Sequence, residues 1–358
     1  MGIIFLMLTK FISRVMDFTF PEDKVLQYGT LKQYLKINND DIFELIDICN
    51  PKSNQIQING IDYFFTYLDE TGNNKGGNSV ILKLFNAQNI NASDPIYDEP
   101  DSILKIHKYK KKRVADKSQK RFEREIQALF KCKKANFENV ILIEHSGVCS
   151  IFNYKSKVYD KYLYYTMEFA PYDLKGFIEN NHNYLSIDDK IKLCIELAKG
   201  LKELRLMKLY HRDIKPDNIF MNNLGNWKIG DLGLIDDRNI NFSLDKVAEP
   251  IGPRGWMSPE SMNKYLTEGK GFDYKYNCEI DHQSDIFQLG KVFWYIFQHN
   301  APIGTIKEND FYFKNSQLYS IIKTMLNHSK IKRYKDIDEV IKLLKIQETK
   351  LLKSGMIS

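Results

Sequence analysis

The spacing of hydrophobic residues divides the chain into a strand-rich stretch and a helix-rich one. Between residues 57 and 168, short β-branched or aromatic runs recur: DYFFTYL, SVILKLF, SILKIHKY, NVILIEHSG and YLYYTMEF, each predicting a strand. One helix interrupts them. In RFEREIQALF the apolar residues Phe122, Ile126, Leu129 and Phe130 fall at i, i+4, i+7 and i+8, one helical face to lay on a sheet. After Pro171 the spacing turns helical, in IKLCIELAKGLKEL, SDIFQLGKVFWYIF, LYSIIKTML and IDEVIKLLKI. The second of these is apolar almost all round, as a buried central helix is. Between the first two, IFMNNLGNWKIG predicts a hairpin turning at Asn222 to Asn226.

Upstream, residues 16 to 55 predict a small helical extension, with LKQYLKI and DIFELIDIC as its amphipathic pieces and Asn50-Pro51 as its stop. The expected organisation is a helical extension over 1–55, a β-rich lobe with one helix over 56–169, a mainly helical lobe over 170–348, and a tail over 349–358. A sheet-rich half followed by a helix-rich half predicts an α+β fold in two lobes with a cleft between them. There is no repeat at solenoid spacing and no long Pro/Ser-rich linker.

Composition changes this picture little. With 43% hydrophobic residues in 358, the chain can bury a large core. Its net charge of +6, from 52 basic and 46 acidic residues, is a small excess and argues for no specific nucleic-acid partner. The five cysteines are scattered, odd in number and without a CxxC pair, so a reducing cytoplasm is expected. The apolar run in MGIIFLMLTKF is shorter than the roughly 18 residues a spanning helix needs, and no small-residue cleavage site follows it. No transmembrane segment is expected. Gly2 invites myristoylation, but Leu6 stands where that motif wants Ser or Thr; a short docking segment and an upstream start codon, with Met16 opening the globular sequence, are the alternatives. The basic run KYKKKR, Lys108 to Arg113, reads as a solvated loop rather than a nucleic-acid site.

The densest chemistry is HRDIKPDN, His211 to Asn218, followed by DLG at Asp231 to Gly233. Asp and Asn near a hairpin commonly cap turns, but a whole eight-residue string with DLG downstream says more. On these motifs the sequence resembles the protein kinase family, over roughly residues 57 to 347. The resemblance implies ATP and magnesium as cofactors and proteins as substrates. It implies that Asp213 accepts or orients the substrate hydroxyl proton and that Lys215 holds a cation against the transferring phosphoryl group. Asn218 and Asp231 would bind magnesium. Lys215, two residues after Asp213, resembles the serine/threonine subclass. Leu232 replaces the commoner Phe and still serves as an apolar plug.

The same resemblance implies a strand lysine that reaches the phosphates and a helix glutamate that holds it. Lys105 in SILKIHKY and Glu125 in RFEREIQAL fit, 20 residues apart. Lys83 in VILKLF is the rival, and Lys105 is preferred because Lys83 follows the glycine-rich turn too closely. That turn, NKGGNSVI, retains only the middle glycine of a phosphate-covering loop, with Gly76, Gly77 and Ser79 as candidate phosphate contacts and Ile81 over the adenine. In YTMEFAPYDL, Met167, Glu168 and Ala170 would meet the adenine and Asp173 the ribose.

Further along, GWMSPE at Gly255 to Glu260 resembles the end of a kinase activation segment, Arg333 occupies the place of the arginine that pairs with that glutamate, and Asp285 that of the aspartate bracing the catalytic loop. Arg212 precedes Asp213, an arrangement that calls for an anionic partner from the activation loop. Ser243 is the candidate modification site, and Asp236, Asp237 and Glu249 are candidates to supply the charge permanently. Pro253 stands where serine/threonine kinases place a threonine. The expected function is an ATP-dependent serine/threonine protein kinase that phosphorylates itself among other proteins. A pseudokinase scaffold and a small-molecule kinase are the competing readings.

Overall fold

The computed structural model describes residues 18–19, 33–36, 42–45, 55–67, 79–89, 99–153, 158–181, 185–240 and 242–355. Two compact units comprise Met1–Ile126 with Ile143–Phe169, and Gln127–Leu142 with Ala170–Ser358. The first unit is built on strands β1 (Phe18–Thr19), β2 (Gln33–Lys36), β3 (Ile42–Leu45), β4 (Gln55–Ile58), β5 (Ile61–Tyr67), β6 (Ser79–Asn86), β7 (Ser102–His107), β8 (Ile143–Asn153) and β9 (Val158–Glu168). Seven form one sheet in the order β1-β8-β9-β7-β6-β5-β4, antiparallel except where β1 joins β8.

Alternation along β6 and β7 sorts the side chains onto two faces. Val80, Leu82, Leu84, Leu104 and Ile106 join Ile58, Phe65, Tyr162 and Tyr164 in one buried cluster. The opposite face of β7 carries Lys105 and His107, which meet helix α1 (Lys117–Lys134). Asp116 caps α1 by accepting the N–H of Gln119 at 3.0 Å, and Lys131, Lys133 and Lys134 complement the dipole at its last turn.

Two expectations are corrected here. The described residues of the expected helical extension are strands: β1 joins the large sheet, and β2 and β3 pair antiparallel from Lys36↔Ile42 to Gln33↔Leu45. LKQYLKI and DIFELIDIC are too short to separate a helical from a strand period. β-branched Ile42 and aromatic Phe43 favour the strand pairing. The strand expected at NVILIEHSG starts at Ile143 rather than Asn139. Ile141 instead donates its N–H to the Ile229 carbonyl at 2.8 Å, within the second unit.

The second unit holds helices α2 (Leu174–Asn181), α3 (Ile187–Leu206), α4 (Pro259–Thr267), α5 (His282–Gln298), α6 (Ser316–Met325) and α7 (Ile337–Gly355). Its strands are short: β10 (Tyr172–Asp173), β11 (Leu209–Tyr210), β12 (Ile219–Met221), β13 (Trp227–Ile229) and β14 (Asp236–Asp237). The α5 helix is buried nearly all round and is opened by Asp281, whose side chain accepts from the N–H groups of Gln283 and Ser284. α3 packs on α5, α7 and β13. The β12–β13 hairpin, Ile219↔Ile229 to Met221↔Trp227, closes through Asn222 and Asn226, as their turn chemistry demands. No helix of the described residues is long and apolar enough to cross a membrane.

Candidate active site

In the first unit, Lys105 Nζ lies 2.8 Å from Glu125 Oε1, with side chains 8% and 2% exposed. The strand period turns Lys105 toward α1, and the helical period puts Glu125 three residues after Phe122 on the face that meets the sheet. Tyr165, opposite Lys105 in the β7–β9 register, donates its hydroxyl to the same Glu125 oxygen at 2.9 Å, and its ring lies 5.6 Å from the ammonium. Lys83 is on β6 opposite Ile103. Ser79 and Ile81 lie on β6, opposite His107 and Lys105; Gly76 and Gly77 lie outside the described residues. Met167 and Glu168 end β9, opposite Ile103 and Ser102.

In the second unit, the 211–218 loop is held from below by α5. Asp285, fully buried, accepts the N–H groups of His211 and Arg212 at 2.8 Å each. Burial pushes its carboxyl up to about 7, against the pull of those two N–H groups. Gln288, one turn further along α5, donates to the Arg212 carbonyl and accepts the N–H of Ile214. His211 donates from Nε2 to the Gly230 carbonyl at 2.9 Å and accepts the Asp213 N–H at Nδ1. Burial lowers its pKa, favouring the neutral tautomer this pattern requires.

Asp213 has two unlike oxygens. Oδ2 accepts from Lys215 Nζ at 2.9 Å and from Asn218 Nδ2 at 3.0 Å, whereas Oδ1 is buried with no protein partner. Burial raises the Asp213 pKa and Lys215 draws it back down. Asn218 also gives Nδ2 to the Asp213 carbonyl, and its backbone carbonyl accepts the Gly230 N–H, so its side-chain oxygen Oδ1 is the atom left for a ligand. Asp231 follows β13 in the left-handed region, φ 54°, with an exposed side chain. An amide oxygen and a carboxylate are hard donors and fit magnesium by chemistry. Leu232 beside it is fully buried.

Ala170 precedes β10, and Asp173 accepts the Gly176 N–H at 2.9 Å, capping α2. Glu260 and Arg333 form a buried pair, 3.0 Å between Oε1 and Nη2, to which Ser284 adds a hydroxyl. Beside the loop, a cavity of about 450 Å³ is walled by Pro216, Asp217, Trp256 and Tyr295. Gln288 was legible only as a buried polar residue one turn after Asp285. Asp245, 2.7 Å from Arg212, carried no signal beyond lying in the segment before Gly252.

A family model described as protein kinase domain matches residues 97–353. The chain is similar to the eukaryotic translation initiation factor 2-alpha kinase 1 of Plasmodium falciparum, 34% identical over 175 residues, 46% of this chain and 10% of that protein. It is 30% identical to the serine/threonine-protein kinase CLA4 of Candida albicans over 44% of this chain and 15% of that one. With the eIF-2-alpha kinase GCN2 of Arabidopsis thaliana the identity is 27%, over 44% of this chain and 12% of the relative. The chain thus spans only a small part of the length of the curated relatives it matches.

Proposed function

The chain belongs to the protein kinase family, and from that premise we propose that it transfers the γ-phosphoryl group of ATP to serine and threonine hydroxyls of proteins, its own included. The observation that carries this reading is the asymmetry of Asp213: one oxygen fixed by Lys215 and Asn218, the other buried and unpartnered. A buried acceptor without a donor is costly unless a ligand supplies one. A substrate hydroxyl would supply it.

In that reaction the hydroxyl proton passes to Asp213, the oxygen bonds to the γ-phosphorus, and the bond to the β–γ bridging oxygen breaks, its electron pair leaving with ADP. Lys215 offsets charge on the transferring group, and Lys105, held by Glu125, does so on the nucleotide phosphates. Asn218 and Asp231 would hold magnesium, which neutralises phosphate charge when bound with ATP. Met167, Glu168 and Ala170 are proposed to meet the adenine, and Asp173 the ribose. Buried Cys132, whose thiol burial pushes up to about 12, suits a structural thiol in a reducing cytoplasm. Pro253, lacking a threonine hydroxyl, favours one second reading, a nucleotide-binding scaffold that transfers poorly.

The test is a transfer assay with the full chain, magnesium ATP, casein, histone and purified initiation factor 2-alpha, the protein for which two of the relatives are named. The expected result is phosphoserine or phosphothreonine, lost on chelation with EDTA and reduced ~10²–10⁴-fold by Asp213→Asn. No transfer, or transfer indifferent to Asp213→Asn, overturns the reading.

A further inference from the structure

Arg212 stands in the left-handed region at φ 67°, where a non-glycine residue persists only when its surroundings hold it. Its guanidinium donates from Nε to the Leu234 carbonyl at 2.7 Å and from Nη1 to Asp245 Oδ2 at 2.7 Å. The two side chains are only 4% and 7% exposed. A guanidinium does not shed its proton, so one this deeply buried needs an anion beside it. Asp285 is already spent on backbone N–H groups. The acids expected from sequence to supply the charge are engaged elsewhere, which corrects that expectation: Asp236 pairs with Arg238, Asp237 with Lys131, and Glu249 accepts the Lys246 N–H.

We infer that Asp245 is a positioning residue for phosphoryl transfer, a built-in anion that locks Arg212, and through it the backbone bearing Asp213, without covalent modification of the segment. The inference rests on the kinase reading. Asp245 also shows why a phosphate on Ser243 is not required. Ser243 Oγ accepts the Asp245 N–H at 3.1 Å at an exposed position, and it is the Asp245 carboxylate that meets the arginine.

The experiment compares initial transfer rates of the full chain before and after phosphatase treatment with those of Ser243→Ala, Asp245→Asn, Asp245→Glu and the double variant Arg212→Gln/Asp245→Asn. Dephosphorylated chain and Ser243→Ala are expected to keep kcat within about twofold. Asp245→Asn is expected to lose on the order of 10-fold or more in kcat with little change in KM for ATP, and Asp245→Glu to recover part of it. The double variant is expected to fall no lower than Asp245→Asn, because removing the guanidinium removes the need for its anion. Wild-type kcat in Asp245→Asn, additive losses in the double variant, or collapse on dephosphorylation or in Ser243→Ala would each overturn the inference. If Asp245→Asn is unfolded by circular dichroism, Asp245→Glu and the double variant decide by the same criteria. No transfer by the untreated wild type, a result distinct from all of these, overturns the kinase reading and this inference with it.

Discussion

Lys105 and Glu125 meet at 2.8 Å across 20 residues of sequence, the lysine on β7 and the glutamate on α1. Neither charge is solvated, and the Tyr165 hydroxyl on the same carboxylate oxygen fixes where the pair sits. Its value is therefore positional: a strand lysine at a defined height above the sheet.

Lys105→Met is expected to reduce phosphoryl transfer on the order of 100-fold, the scale of losing a positioned charge. Lys83→Met, on the neighbouring strand opposite Ile103, should stay within about twofold. Circular dichroism at 25 °C checks that both variants remain folded, and the transfer assay separates them. Equal losses would show that the pair does not discriminate the two lysines.

Gly252 has φ 82°, and a Cβ there would stand 3.2 Å from the Arg212 carbonyl and 3.3 Å from Asp213 Oδ1. Gly252→Ala should destabilise the chain by about 1–2 kcal/mol through the left-handed backbone alone. Because the added methyl also presses on the unpartnered Asp213 oxygen, kcat should fall further than stability predicts. Urea midpoints and kcat, measured together, check this.

Arg333 and Glu260 are 0% and 2% exposed, and Arg333 also donates to the carbonyls of Asn327 and Gln283. Arg333→Leu strands a buried carboxylate and should cost roughly 3–5 kcal/mol in urea unfolding. An effect below about 1 kcal/mol would place the pair with surface ion pairs.

His282 opens α5 with both ring nitrogens buried and unpartnered. Burial first, and then Arg205, lower its pKa to about 4 against the opposing pull of Asp336, Asp281 and Asp338. The unfolded chain takes up a proton near pH 6.5 that the folded chain refuses until about pH 4. The stability tied to neutral His282 is thus full above pH 6.5 and is lost as pH falls toward 4, at about 1.4 kcal/mol per pH unit. Between pH 7 and pH 5 wild type should lose about 2 kcal/mol more than His282→Phe, read as the difference in the pH dependence of their urea midpoints. Parallel dependences would refute it.

Much of the fold was legible because it is written in short-range spacing. The strands of SVILKLF and SILKIHKY, the helices after Pro171, and the hairpin at Asn222 to Asn226 each follow from residues within a few positions of one another. In the candidate site, Asp213, Lys215 and Asn218 cluster for the same reason, since they lie within six consecutive residues of one loop. The segments around Tyr34 and Phe43 were misread as helices because so few apolar positions satisfy either period, and pairing between segments decides the outcome.

Sequence by itself determined that the candidate side chains lie on a loop, a hairpin, a strand and a helix. Tertiary structure alone decided who meets whom beyond that: Gln288 under Arg212 across 76 residues, and Asp245 rather than Asp236, Asp237 or Glu249 as the anion 33 residues beyond Arg212. The physical reason is that a buried charge takes whichever counter-charge the packing delivers to it. No local pattern records that delivery, because burial and partner are created only when distant segments fold together.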